Sequence, residues 1–232
     1  MKLTTKQTGK ELQVPKTVLK VLLICGILST LIYISIDILT ATLYEGYSHT
    51  SQQISELSAI GASTRPLWIV MASVWTPLLI AFGIGVWLLA GHKRSLRLTG
   101  ILLIVWGIIG FVWLFFPMHP RGTVGLDSDV MHLVLAAAQV LVMVLFISFG
   151  AVALGRGFRL YSIGTIVTLL VFGVLVSTQA KAIAAGQTTP WMGIIERVSV
   201  FTPMLWVVVL AILLMRSGKE QDSVNATILN QK

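Results

Sequence analysis

The sequence predicts an all-α bundle of six membrane-spanning helices, a polytopic membrane protein, and three observations carry that prediction. Hydrophobic residues make up 56% of the 232 positions, charged residues only 11%, and the mean hydropathy is +0.88. No single water-soluble core buries that much apolar surface. Apolar runs long enough to cross about 30 Å of hydrocarbon, which takes roughly 20 helical residues, recur six times. Basic residues sit at the ends of these runs and form no single patch with interleaved aromatics. The net charge of +8 therefore reads as a topology signal, and no nucleic-acid partner is expected.

Residues 1–17 form a basic N-terminal segment, with Lys2, Lys6, Lys10 and Lys16 against the single acid Glu11. Span one follows at 18–41, with no charge between Val21 and Ile36 and no small-residue cleavage site of the kind a secretory signal carries. It holds Cys25, the only cysteine, which excludes an intramolecular disulfide and a Cys-based zinc site. Spans two to six are expected at 66–90, 98–117, 130–154, 160–181 and 194–215. The membrane domain is thus 18–216, and 217–232 a polar tail. With the N-terminus inside, thirteen Lys and Arg fall on the inner side and four on the outer. That bias places both termini in the cytoplasm and the protein in the plasma membrane.

Between spans one and two lies a polar insert, GYSHTSQQISELSAIGASTRP, at 46–66. His49, Gln52 and Glu56 share one face of a helix while Ile54 and Leu57 lean to the other. Thr50 with Gln53 fits a capping box and Gly61 a helix stop, so a short extracytoplasmic helix over about residues 51–60 is expected. It lies flat on the membrane surface or roofs a site. If it roofs one, Glu56 meets Arg65, Arg121 or His132.

Two internal echoes run through the spans. Ser73-Val74-Trp75-Thr76-Pro77 recurs as Ser199-Val200-Phe201-Thr202-Pro203, placing a proline inside spans two and six, where it removes a backbone bond. Arg94-x-x-Arg97-Leu98 recurs as Arg156-x-x-Arg159-Leu160. A duplicated bundle or shared membrane-helix composition accounts for both.

The unusual polar groups gather at the outer end. Ionisable groups at membrane depth face the bundle interior or a wet cavity, so Asp37, His132 and Glu196 are the first suspects. Asp129 and His132 share a face at the start of span four, where Asp129 either caps the helix or works with the imidazole. Phe116-Pro117-Met118-His119-Pro120-Arg121 closes span three as a rigid turn. Arg121 and Arg65 suit a phosphate or carboxylate, and lipid headgroups are the nearest supply. His49, His119 and His132 with an acid make a set that a divalent metal such as zinc accepts, although their spacing matches no metal motif. Ser48, Ser55 and Ser58 lack any nucleophile-elbow signature.

The Gly-Tyr-Ser-His-x-x-Ser-Gln-x-Ile-Ser-Glu-Leu-x-Ala pattern over 46–59, the Phe116-Pro117 ending of span three and His132 opening span four together resemble the DUF998 family (domain of unknown function 998). Its members are six-span bacterial membrane proteins. The resemblance runs from span one to span six and implies the six-span fold, a bacterial plasma membrane and Ser55, Glu56 and His132 as site residues. In that family an acid commonly follows the Phe-Pro, where this chain has His119. The family implies no activity and no substrate.

Three functions are compatible with these readings. An outward-facing polar pocket binds or translocates a lipid or small amphiphile; a metal-dependent hydrolase acts at the outer leaflet; or the chain is a non-catalytic assembly partner in the membrane.

Overall fold

The computed structural model describes residues 14–123 and 127–230, with side chains to Ser217; the lysines expected to lead the chain, Lys2, Lys6 and Lys10, lie outside the described residues. The elements are α1 (Lys16–Leu43), a 3-10 turn (Ile54–Ser58), α2 (Arg65–Leu89), α3 (Arg94–Trp113), α4 (Asp127–Ala153), α5 (Arg156–Thr178), the short α6 (Ala180–Ala184) and α7 (Met192–Asn230). No strand occurs among the described residues. Six of the helices, counting α5 with α6 as one, are long and apolar enough to cross a membrane. Each begins slightly before the expected span, because flanking polar residues such as Arg94, Asp127 and Arg156 continue the helix. α3 stops at Trp113 instead of running to Pro117: proline has no N–H to give the Trp113 carbonyl and disfavours helix in the residue before it.

The roof segment departs from expectation. Instead of a helix over 51–60 capped by Thr50, five residues, Ile54–Ser58, wind as a 3-10 turn capped by Gln53, with Glu56 completing the capping box. In 3-10 geometry positions three apart eclipse, so Ile54 and Leu57 point the same way, and both are buried. They join Ile36, Trp68 and Ala72 in a small second core. Two apolar anchors on one side pull the segment onto the bundle. The segment ends at Ala59 in extended backbone, not at the expected Gly61, whose φ of +82° serves the turn that follows.

The spans form a closed ring in the order α1, α2, α3, α4, α5, α7, with α7 packing back on α1. Among the described residues, helices that are not neighbours in the ring barely approach one another; only α4 and α7, on either side of α5, do so. The interior must therefore be filled by side chains, and toward the end that carries the chain termini it is. Trp106, Trp206, Phe82 and Phe146 are essentially fully buried there. Trp106 stacks on Phe146 at 5.2 Å, and Phe146 leans on Trp206 at 5.4 Å. Trp75 meets Trp106 edge-on at 5.9 Å. Gly150 admits the Trp206 indole, since a Cβ there would lie 2.6 Å from the ring. The Trp206 Nε1–H donates to Ser162 at 2.8 Å, whereas the equally buried Trp106 Nε1–H has no hydrogen-bond partner among the described residues.

Pro77 and Pro203 both lie inside continuous helices, α2 and α7. The echo is uneven in its bonding. The Ser73 hydroxyl donates to the Ile69 carbonyl at 2.8 Å in α2, whereas in α7 it is Thr202 that donates to Val198 at 2.6 Å.

Candidate functional site

At the roofed end the ring does not fill. A cavity of about 870 Å³ lies under the 3-10 turn and the α3–α4 loop, walled by α1, α2, α3, α4, α5 and α7. Along α4 its wall is Val130, Leu133 and Ala137, and along α5 Leu170, Val174 and Ser177. All six are exposed, so the cavity opens sideways between these two helices. They are joined by a tight turn at the terminal end and part toward the roof.

Two buried ion pairs hold the roof. Arg197 on α7 takes both carboxylate oxygens of Asp37 on α1 at 2.8 Å, with side-chain exposures of only 12% and 2%. The same guanidinium donates to the carbonyls of His49 and Gly193 and to the Tyr47 hydroxyl. Burial pushes the Tyr47 phenol well above its ordinary pKa, so it stays a donor, giving its hydrogen to the Gln52 and Gln53 carbonyls. Glu56 is 5% exposed and pairs with Arg121 at 2.7 Å. Its other bonds come from the Gln52 amide and the Gln53 backbone N–H. Arg121 is equally engaged, donating also to Ser51, Gln187 and Thr189. Every charge in these pairs is opposed and hydrogen-bonded, as buried ions require.

Of the three partners expected for Glu56, the structure selects Arg121. Arg65 instead donates to the Ser58 carbonyl at 2.6 Å, tying the turn to the start of α2. Asp129 lies in the first turn of α4. It accepts the His119 backbone N–H at 2.8 Å and lies 3.1 Å from the His119 Nδ1, fixing the loop after α3. Ser128 adds a bond to the Pro117 carbonyl. Asp37, Glu56, Arg65 and Arg121 are thus drawn together as structural ties.

Other groups on the cavity wall are less occupied. His132 is 8% exposed; its Nδ1 lies 2.9 Å from the Phe116 carbonyl. A carbonyl only accepts, so Nδ1 carries the hydrogen, and Nε2 has no protein partner among the described residues. Trp113 contacts the ring edge-on at 4.5 Å. Glu196 accepts the Ile54 N–H at 2.5 Å through one oxygen; the other has no partner among the described residues. The hydroxyls of Tyr33, Ser55 and Ser199 and the Gln139 amide also line the cavity and donate to no protein group among the described residues.

His49 is exposed and outside the cavity wall that His119 and His132 share. Among the described residues no three His, Cys, Asp or Glu side chains gather as a metal site needs. No serine hydroxyl there bonds a histidine ring. Sequence reasoning missed Tyr33, Trp68 and Arg197. Trp68 reads as an interfacial belt residue, yet it is buried against Tyr33 and lines the cavity. The available signal for Tyr33 is a lone phenol inside an uncharged run.

No curated protein and no solved structure matches the chain significantly. The family model described as "Protein of unknown function (DUF998)" matches residues 27–213, which is most of the described bundle from α1 to α7, and the chain belongs to that family.

Proposed function

We propose that this membrane protein binds a lipid-like or other small amphiphile, its polar head beneath the roof and its chain lying between α4 and α5. The basic-residue bias supports an extracytoplasmic roof, so the ligand comes from the outer leaflet or the outer medium. One observation carries the reading. The cavity has an apolar flank open toward the lipid and polar groups, Ser55, His119, His132 and Glu196, concentrated at its roofed end. Its volume of about 870 Å³ falls in the range of small-molecule sites. The aromatic plug in the other half favours binding over passage through the bundle.

Three tryptophans, Trp68, Trp75 and Trp113, line the cavity, so a brominated-chain amphiphile entering it quenches their fluorescence. Saturable quenching is expected in the wild type and its loss in Ala137→Phe, which fills the flank. Quenching that never saturates, or is unchanged in Ala137→Phe, would overturn the proposal.

A further inference from the structure

We infer that the amphiphile held in this cavity is a cation, a long-chain amine or quaternary ammonium, whose charged head rests on Glu196 against the rings of Tyr33, Trp68 and Trp75. The inference rests on the amphiphile-binding reading and adds the charge of its ligand.

Charge balance is the first argument. Arg121 also lines the cavity, but Glu56 at 2.7 Å and three further acceptors occupy it. Arg197 is taken by both oxygens of Asp37. Of the three acids Asp37, Glu56 and Glu196 that the roof draws inward, Glu196 alone has no ion-pair partner among the described residues. The fold holds it in place through the Ile54 N–H, leaving one carboxylate oxygen unopposed on the wall of a mostly apolar cavity. An isolated carboxylate in such surroundings is costly. A ligand cation removes that cost, and an anionic ligand adds to it.

The rings are the second argument, independent of the first. Tyr33 meets Trp68 edge-on at 5.9 Å and Trp75 at 5.4 Å, and all three line the same cavity as Glu196. Each of the three rings thus gives part of its surface to one cavity. Such clusters bind alkylammonium heads through the negative face of the ring. The unpartnered Ser199 hydroxyl, one turn along α7 from Glu196, accepts a hydrogen bond from a primary ammonium.

The test compares three brominated amphiphiles with the same alkyl chain and a trimethylammonium, an uncharged glycoside or a sulfate head. Each is titrated against the full chain kept soluble by an uncharged amphipathic polymer, with tryptophan quenching as the readout. The ammonium probe is expected to bind most tightly. Glu196→Gln, whose amide oxygen still accepts the Ile54 N–H, is expected to weaken it by about tenfold or more while leaving the glycoside unchanged. Equal affinity for ammonium and glycoside heads, or indifference of the ammonium to Glu196→Gln, would overturn the cationic assignment and leave the amphiphile site standing. No saturable binding of any probe would remove both. Should Glu196→Gln fail to fold, the ranking of the three heads on the wild type still decides.

Discussion

The two halves of this bundle are built from the same six helices in the same ring, yet one is solid and the other hollow. Toward the terminal end Trp106, Phe146 and Trp206 fill the interior, and glycine at 150 makes room for an indole. At the roofed end small residues, Ala136, Ala137 and Gly173, leave part of the wall unfilled, and the lid is held by ion pairs as well as by the buried Ile54 and Leu57. A ring whose opposite helices barely touch has no intrinsic interior. Side-chain volume decides where it closes.

That comparison can be broken at several points. The largest effect is expected at Asp37→Ala, which leaves the Arg197 guanidinium buried and unpaired; thermal unfolding in detergent should show a loss of about 3–5 kcal/mol. A silent Asp37→Ala would mean that the roof is held by its apolar anchors alone. Phe146→Ala removes the centre of the plug and should cost a similar amount, about 3–5 kcal/mol, with no repair available from helices already in contact. Gly150→Val forces the Trp206 ring aside and should cost about 1–3 kcal/mol. Glu56→Gln keeps the shape but removes the charge opposing Arg121, whose neutral acceptors at Ser51, Gln187 and Thr189 remain; its loss should be about 1–3 kcal/mol, while the exposed Glu45→Gln changes unfolding by less than about 0.5 kcal/mol. Smallest of all, Ala137→Phe should leave stability within about 0.5 kcal/mol, because its bulk enters a void. A large destabilisation by Ala137→Phe would show that the roofed half is as tightly packed as the plug.

Much of the frame is legible in the sequence, because hydrocarbon thickness and charge bias act on local composition. Six helices long and apolar enough to cross a membrane lie where the apolar runs lie, and many of the unusual polar groups gather at one end of the bundle. Arg121 is among the expected partners of Glu56 because the rigid Phe116–Arg121 turn and the 46–66 insert flank the same mouth. Three things stay hidden for one physical reason, that they depend on pairings distant in the chain. Asp37 and Arg197 are separated by 160 positions, and no local pattern joins them. The cavity arises from the parting of α4 and α5, which neither helix encodes alone. The 3-10 winding of Ile54–Ser58 is chosen by the burial of Ile54 and Leu57 and by Glu196 receiving the Ile54 N–H, all tertiary effects that override a local capping signal.

The closure of the ring by α7 also sets an order of assembly. Asp37 lies in the first helix and the groups that complete the roof, Arg197 and Glu196, lie in the last. The ribosome makes α1 through α5 with Asp37 unopposed, and the 160 residues that separate it from Arg197 take on the order of ten seconds or more to synthesise. Until α7 inserts, a carboxylic acid near the membrane boundary has no counter-charge, the 3-10 turn lacks its Glu196 acceptor, and the Thr50 carbonyl lacks the Gly193 N–H. The half-made protein therefore carries a visible mark of incompleteness, a polar scar that only the final span erases. Chains that stall or lose that span present it to whatever machinery surveys the membrane.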